Sequence, residues 1–251
     1  MVLTKSRAAA LANLQIAYAD TDIIVIGAAA IACHVDMAYR TTDDLDLAVD
    51  ASLDDFPTPI RSLPGWTEDP SLPHRFSTPT GDLVDILPAG TELLAQGYDR
   101  WSTGAIMRLT GFDLAFKHAA PHDAGHGVTI RVPPAAILAL LKMCAWLDRP
   151  AERHKDLVDL AHVFEAYLSA DDDRRWSDEV VRTNLDYEDV SAFVLGQELR
   201  TAATPEHLEV AKRFLTTVSE AALATAGPAA WRVRPELARR ALDAFGHGAQ
   251  L

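Results

Sequence analysis

Residues 40–49, "RTTDDLDLAV", place acidic side chains inside a run that otherwise has the composition of a buried β-strand. Side chains alternate between the two faces of a strand, so Asp44 and Asp46 share one face while Leu45 and Leu47 share the other. Two carboxylates held close together repel each other and are costly to desolvate, which favours a bound cation. The pattern therefore predicts a site for a divalent metal that prefers oxygen ligands, Mg²⁺ or Mn²⁺.

A third carboxylate follows in a second apolar run. Asp85 lies in "GDLVDIL", which we interpret as the second strand of a hairpin formed by residues 74–87, "HRFSTPTGDLVDIL". If this strand lies beside the one that carries Asp44 and Asp46, three carboxylates converge. Three oxygen ligands with open coordination positions are typical of a two-metal phosphoryl-transfer site. Asp43 falls on the face of the leucines and is not expected to contribute.

A glycine precedes the acidic strand. Gly27 ends the apolar run "DIIVIG" and opens the alanine-rich segment "AAAIACHVDMAY", which predicts a turn from a strand into a helix. Backbone N–H groups at such a turn can receive a phosphate. The glycine alone is a weak signal, since many such turns need its dihedral freedom.

The pattern of apolar residues changes near Pro133. Before it, short apolar runs alternate with helical segments. After it, apolar residues recur at helical spacing. We therefore predict an α/β fold in two domains: a catalytic domain over residues 1–132, with a short mixed sheet flanked by helices, and an α-helical domain over residues 133–251. The predicted helices of the second domain are 134–147, 155–168, 187–202, 205–225 and 235–245.

The acidic residues occur in an order that resembles the polymerase-β-like nucleotidyltransferase superfamily. The ordered set is Gly27-Ala28, then Arg40-x-Thr42-x-Asp44-Leu45-Asp46-Leu47, then "VDIL" around Asp85. Residues 137–164, "ILALLKMCAWLDRPAERHKDLVDLAHVF", resemble the helical motif of AbiEii/AbiGii toxin-like nucleotidyltransferases, in which a lysine on a helix is followed by an arginine and by KDxxD. The resemblance covers residues 23–164.

The resemblance implies a role for each matching residue. Asp44, Asp46 and Asp85 would be the metal ligands, and Lys142 would contact the phosphates of the nucleotide. Asp156 would be the acidic residue of the last motif. Asp159, one helical turn later, shares its face, so either could reach the nucleotide, and we favour Asp156 for the catalytic role and Asp159 for nucleotide binding. The further nucleotide-binding residues would be Gly27, Ala28, Arg40 and Thr42. The family usually has serine or glycine where this chain has Ala28, so we expect nucleotide binding to be weakened or changed in preference.

The implied reaction is transfer of NMP from an NTP to an acceptor, either tRNA or another cellular target such as a protein. The resemblance further implies the toxin of a toxin–antitoxin or phage-defence system, with an antitoxin as partner. Two other functions stay open. One is small-molecule nucleotidylation of the antibiotic-modifying type. The other is a catalytically weakened NTP-binding module, suggested by Ala28.

Net charge and hydropathy limit the kinds of partner that the protein is expected to bind. The formal net charge is −13, which disfavours extended DNA binding, because affinity for phosphates comes from Lys and Arg. The cluster Arg232, Arg234, Arg239 and Arg240 is either a solvated face, as such clusters more often are, or the site of an RNA contact. The sequence has no stretch of about twenty apolar residues and no secretory signal pattern, so we predict a cytoplasmic protein without membrane contact.

Overall fold

A computed structural model describes residues 3–36, 44–102, 104, 106–226 and 235–251. The chain divides into two compact units, Met1–Pro134 and Ala135–Leu251. The first unit combines helices with strands, and the described part of the second unit is helical. The predicted α/β fold, with a short mixed sheet followed by a helical C-terminal part, is confirmed.

Helices and short strands alternate along the first unit. The helices are α1 (Lys5–Ala17), α2 (Gly27–Ile31), α3 (Pro57–Arg61), α4 (Thr91–Gln96) and α5 (Phe112–His118). The strands are β1 (Ile23–Val25), β2 (Asp44–Val49), β3 (Thr67–Glu68), β4 (Arg75–Ser77), β5 (Leu83–Pro88), β6 (Tyr98–Arg100), β7 (Ile106–Arg108), β8 (Ala120–Asp123) and β9 (Thr129–Val132).

The main sheet has five strands in the order β1-β2-β5-β4-β3. β2 and β5 are parallel neighbours, and the other neighbours are antiparallel. The antiparallel pairing of β4 with β5 confirms the hairpin predicted over residues 74–87. Two further pairs, β6 with β7 and β8 with β9, form separate two-stranded sheets.

The two central strands, β2 and β5, anchor the first unit through one apolar face. Leu45, Leu47, Val84 and Ile86 are each at most 1% exposed. Burial of an aliphatic side chain of this size contributes about 1.5–3 kcal/mol. If β2 slipped by one residue against β5, its leucines would turn to the other face and its carboxylates would take their place in the core. The burial of the leucines therefore specifies the register of this pair.

The second unit is a helical bundle. Its helices are α6 (Ala135–Asp148), α7 (His154–Ala166), α8 (Asp178–Thr183), α9 (Val190–Ala202), α10 (Pro205–Thr217), α11 (Glu220–Ala226) and α12 (Pro235–Ala249). Short 3₁₀ turns at Asp173–Trp176 and Tyr187–Asp189 connect α7 with α9 on either side of α8.

One predicted helix of the second unit is divided into two in the structure. Residues 205–225 were expected to form one helix, but the structure ends α10 at Thr217 and starts α11 at Glu220. Val218 has an extended backbone, with ψ 113°, and the hydroxyl of Ser219 accepts a hydrogen bond from the N–H of Ala222 at 3.1 Å. Ser219 therefore begins a new helix, since a serine in this position satisfies a free N–H of the first turn.

Helices α9 and α12 pack with their backbones in close approach. A Cβ atom added to Gly196 would lie 2.1 Å from the carbonyl oxygen of Phe245, and one added to Gly248 would lie 2.0 Å from that of Phe193. No larger residue fits at either position without separating the helices. This crossing therefore depends on two glycines, each in contact with the facing backbone.

Within the described residues, no helix has both the length and the apolar composition needed to cross a membrane.

A candidate metal site with three carboxylates

Three aspartates meet on the central strands of the first unit. Asp44 and Asp46 lie on β2, and the parallel register places Asp46 opposite Asp85 of β5. Each of the three offers a carboxylate oxygen, and these oxygens all lie within 4.8 Å of one another. Asp85 is buried, whereas Asp44 and Asp46 are half-buried. The strand alternation placed Asp44 and Asp46 on one face, and the pairing of β2 with β5 brings Asp85 to them.

Gly27 makes room for this cluster. Its φ of +66° lies in the left-handed region, which favours glycine. A Cβ atom at this position would lie 2.0 Å from Oδ2 of Asp46, so a side chain would displace that carboxylate. The neighbouring Ile26 donates its backbone N–H to the carbonyl oxygen of Asp46 at 2.9 Å. The turn and the acidic strand are therefore fitted to each other at their backbones.

The helix that follows this glycine is shorter than the sequence predicted. The run "AAAIACHVDMAY" suggested a helix over residues 28–39, but α2 spans Gly27–Ile31 and is followed by turns through His34. Ala28 lies in α2 and is 4% exposed.

Arg75 also belongs to the cluster, although no motif in the sequence points to it. It lies on β4 directly opposite Asp85 in the antiparallel register. Its Nε donates to Oδ1 of Asp85 at 2.7 Å and its Nη2 donates to Oδ2 at 2.7 Å. The same Nη2 donates to Oδ2 of Asp44 at 3.2 Å. The hairpin that the sequence predicts could have located this arginine, because a β-hairpin places residues opposite one another in pairs.

The guanidinium and the carboxylates stabilise one another. The hydrogen bonds from Arg75 to Asp85 raise the pKa of the arginine above its usual value, with Asp44 and Asp46 adding to the effect. A forked pair of this kind, with two parallel N–H···O bonds, is among the stronger charge-assisted contacts. Arg75 thus neutralises part of the negative charge that the three aspartates concentrate.

The donor set fits a magnesium or manganese ion. All three ligand candidates are carboxylates, which are the hard oxygen donors that these ions prefer. Arg75 uses one hydrogen bond on each oxygen of Asp85. A carboxylate oxygen has two lone pairs, so Asp85 keeps acceptor capacity for a cation.

The helical unit contains a second charged group. Nζ of Lys142, on α6, lies 2.7 Å from Oδ1 of Asp156 and 2.8 Å from Oδ2 of Asp159, both on α7. Asp156 and Asp159 are 3% and 0% exposed. Burial by itself lowers the pKa of Lys142, but the two carboxylates outweigh it, so the pKa is raised and the lysine stays charged. Three residues of the motif that carries the resemblance therefore form an ion triad, in which both carboxylates are buried and the lysine is half-buried.

One oxygen of this triad is without a hydrogen bond among the described residues. Oδ2 of Asp156 is buried and has no such partner, whereas Oδ1 accepts from Lys142. Buried polar atoms usually have a hydrogen-bond partner, so this oxygen has acceptor capacity for a further donor or a cation.

Other residues singled out in the sequence are either outside the described part of the chain or not part of this cluster. Arg40, Thr42 and Asp43 lie outside the described residues, as do Arg232 and Arg234 of the basic cluster. The remaining two arginines of that cluster contact the protein itself. Arg239 donates to the carbonyl oxygens of Leu215 and Val218, and Arg240 pairs with Asp186 and Asp189.

The fold and the site together define an α/β protein with a carboxylate cluster suited to a divalent cation. No protein-family model matches the chain, and no curated protein matches it significantly.

The solved structures that the chain resembles include two that each share 14% sequence identity with it. One is the antibiotic-resistance factor ANT(2'')-Ia, with a TM-score of 0.40 over 78% of this chain and 88% of that chain. The other is an antigenic nucleotidyltransferase-like protein from Paracoccidioides brasiliensis, with a TM-score of 0.44 over 80% of this chain and 93% of that chain. Likeness at this level does not decide an activity, which has to be inferred from the site.

Proposed function

We propose that the protein is a metal-dependent nucleotidyltransferase, which transfers NMP from an NTP to an acceptor. The observation that carries the proposal is the cluster of Asp44, Asp46 and Asp85, whose carboxylate oxygens lie within 4.8 Å of one another on adjacent parallel strands. Its support is the order of motifs that resembles the polymerase-β-like superfamily, and within it the AbiEii/AbiGii toxin-like members.

In the proposed reaction, a nucleophilic group of the acceptor, a hydroxyl or another group, loses its proton to solvent and attacks the α-phosphorus of the NTP. A new bond forms between them, the bond from the α-phosphorus to the bridging oxygen breaks, and pyrophosphate leaves. Asp44 and Asp46 would hold the metal ions, and Asp85 would complete the site on the side of the acceptor. When bound, the divalent cations supply charge neutralisation for the phosphoryl group and the leaving pyrophosphate.

The chain's own residues would bind and orient the nucleotide. Gly27 and Ala28 are proposed to lie against its phosphates, together with Arg40 and Thr42. Positive charge next to the phosphates stabilises the charge that develops in the transition state.

Lys142 remains a proposed phosphate contact, with Asp156 and Asp159 as its partners. The two carboxylates keep the lysine protonated, as a phosphate ligand must be. Asp156 is the stronger candidate for a direct role, because its Oδ2 has no hydrogen-bond partner in the described part of the chain.

For the acceptor, we propose tRNA or a protein, with the chain acting as the toxin of a toxin–antitoxin or phage-defence pair and an antitoxin as its partner. A small-molecule acceptor is the second candidate. It is favoured by the net charge of −13 and by the engagement of Arg239 and Arg240 with the protein itself, which leaves those two arginines less suited to RNA.

The test is label transfer from each α-labelled NTP, with Mg²⁺ or Mn²⁺, to a pool of tRNA and protein. Asp46→Asn should reduce transfer on the order of a thousandfold, which corresponds to about 4 kcal/mol of transition-state stabilisation. Asp54→Asn, which changes an exposed acid after the same strand, should leave transfer unchanged. Transfer that persists undiminished in Asp44→Asn and Asp46→Asn would contradict the mechanism.

Calorimetry separates the open functions. NTP binding with label transfer to tRNA or protein supports the toxin-type activity. Binding with transfer only to a small molecule of the antibiotic type supports the second candidate. Binding without any transfer supports a weakened NTP-binding module, and the absence of binding at millimolar NTP and Mn²⁺ would contradict all three.

A further inference from the structure

We propose that Arg75 is an internal counterion that competes with divalent metal for the cluster of Asp44, Asp46 and Asp85, and thereby sets the metal affinity of the site. The inference deepens the proposed function, since it concerns the metal site on which that function depends. It makes Arg75 a residue that controls metal loading, not a catalytic residue.

Arg75 is held in the cluster by the sheet. Its strand, β4, pairs with β5 so that Arg75 lies opposite Asp85, and the fork of its guanidinium spans both oxygens of that carboxylate at 2.7 Å. The third contact, 3.2 Å to Asp44, reaches across to β2. The cation thus bridges two of the proposed metal ligands, and its side chain is only 25% exposed.

The charges show what this arrangement does without metal. Three ionised carboxylates with oxygens within 4.8 Å repel one another, and the guanidinium offsets one of the three negative charges. Like charges at this separation are costly when water is partly excluded. Arg75 therefore stabilises the folded cluster before metal is bound.

The same charge opposes metal binding. A cation that enters between Asp44 and Asp85 approaches a guanidinium already in contact with both. A positive charge about 4–6 Å from a carboxylate lowers the pKa of that group by about 1–3 units. The same charge repels a divalent cation more strongly than it repels a proton, because the cation carries twice the charge. Removal of the charge should therefore tighten metal binding at least tenfold.

If Arg75 only oriented Asp85, the substitution would change the metal affinity in the opposite direction. If Arg75 served only to fix the position of Asp85, its loss would loosen a ligand and weaken metal binding. The direction of the change in affinity therefore distinguishes competition from positioning.

The experiment measures Mn²⁺ binding by the full-length chain without nucleotide, from the electron paramagnetic resonance signal of free Mn²⁺. Arg75→Gln should lower the dissociation constant at least tenfold, and Arg75→Lys, which keeps the charge but loses the fork, should have a smaller effect. Arg61→Gln is the matched control, because it removes the same charge from an exposed pair with Glu68. It should bind Mn²⁺ like the wild type.

An unchanged or weakened affinity in Arg75→Gln would overturn the proposal. If this variant does not fold without metal, millimolar Mn²⁺ must restore its folding, as judged by circular dichroism, and failure of that rescue also contradicts the inference. Because no nucleotide is present, the result is independent of catalysis. Tighter Mn²⁺ binding with no label transfer in any variant would leave this inference standing while the proposed function fails.

Discussion

Gly27 is the residue at which a single methyl group should disrupt the candidate site. Gly27→Ala adds a Cβ atom that would lie 2.0 Å from Oδ2, 2.7 Å from Cγ and 2.9 Å from Cβ of Asp46. Ordinary contacts of a Cβ atom begin at 3.4 Å. Either the carboxylate or the turn must therefore move by more than an ångström.

The cost has two parts that can be separated. The first is the left-handed backbone, with φ +66°, which costs an alanine about 1–2 kcal/mol. The second is the clash with Asp46, for which overpacking costs typically about 1–3 kcal/mol. We therefore expect Gly27→Ala to lose about 2–5 kcal/mol of unfolding free energy.

Gly97→Ala is the matched control for the backbone part. Gly97 has φ +81°, and an added Cβ atom would meet nothing within 4 Å. This variant should lose only the first part, about 1–2 kcal/mol. Urea titrations of both variants measure the difference, provided that the slopes with denaturant agree.

Metal binding gives an independent result. A displaced Asp46 should weaken Mn²⁺ binding at least tenfold in Gly27→Ala and leave it unchanged in Gly97→Ala. If the two variants lose the same stability and Gly27→Ala binds Mn²⁺ like the wild type, the fit between the glycine and the carboxylate has no energetic importance, and the reasoning fails.

Three further predictions concern buried groups. Lys142→Met should lower the unfolding free energy by about 3–5 kcal/mol in urea titrations, because two buried carboxylates lose their cation; a loss below about 1 kcal/mol would contradict the triad. Asp99 is fully buried, and burial raises its pKa from 3.8 to about 6. The folded protein therefore holds this proton more tightly than the unfolded chain does. The resulting stabilisation is complete below about pH 4 and is lost as the pH rises through 6. Between pH 4 and pH 7 the free energy of unfolding of the wild type should thus fall by up to about 3 kcal/mol more than that of Asp99→Asn. Parallel pH profiles of the two proteins would refute this prediction. Gly196→Ala should lower the free energy of unfolding by more than about 3 kcal/mol, because its Cβ atom would lie 2.1 Å from the backbone of α12. Gly246→Ala is the control, because its Cβ atom would meet only a leucine methyl group at 3.1 Å. Its stability in thermal unfolding should stay within about 1 kcal/mol of the wild type.

Local patterns in the sequence predict much of the first unit. The alternation of Asp44 and Asp46 with Leu45 and Leu47 predicts a strand with one acidic and one buried face, and the leucines are at most 1% exposed in the structure. The hairpin over residues 74–87 is equally local, since its two strands are joined by a short turn.

Helix ends were less predictable than helix positions. The helices at Ala135–Asp148 and His154–Ala166 lie within two residues of the predicted ranges. The break between α10 and α11 was missed because apolar periodicity continues through it, while the hydroxyl of Ser219 starts a new helix. Such capping is a local signal that competes with periodicity over the same few residues.

Local sequence is enough to show which charged residues lie in apolar segments: Asp44, Asp46, Asp85 and Lys142. The partners of these four side chains depend on the three-dimensional fold. The parallel pairing of β2 with β5 joins strands that are separated by more than thirty residues, and neither strand encodes its partner. That pairing places Asp85 beside Asp46, the hairpin adds Arg75 to the cluster, and the packing of α6 on α7 encloses Lys142 between two carboxylates. Alternation and periodicity fix the face of the strand or helix on which a side chain lies. The neighbours of that side chain depend on contacts between segments that are distant in the sequence. Such contacts form only where burial of apolar faces offsets the entropy that is lost when the chain between them is closed into a loop.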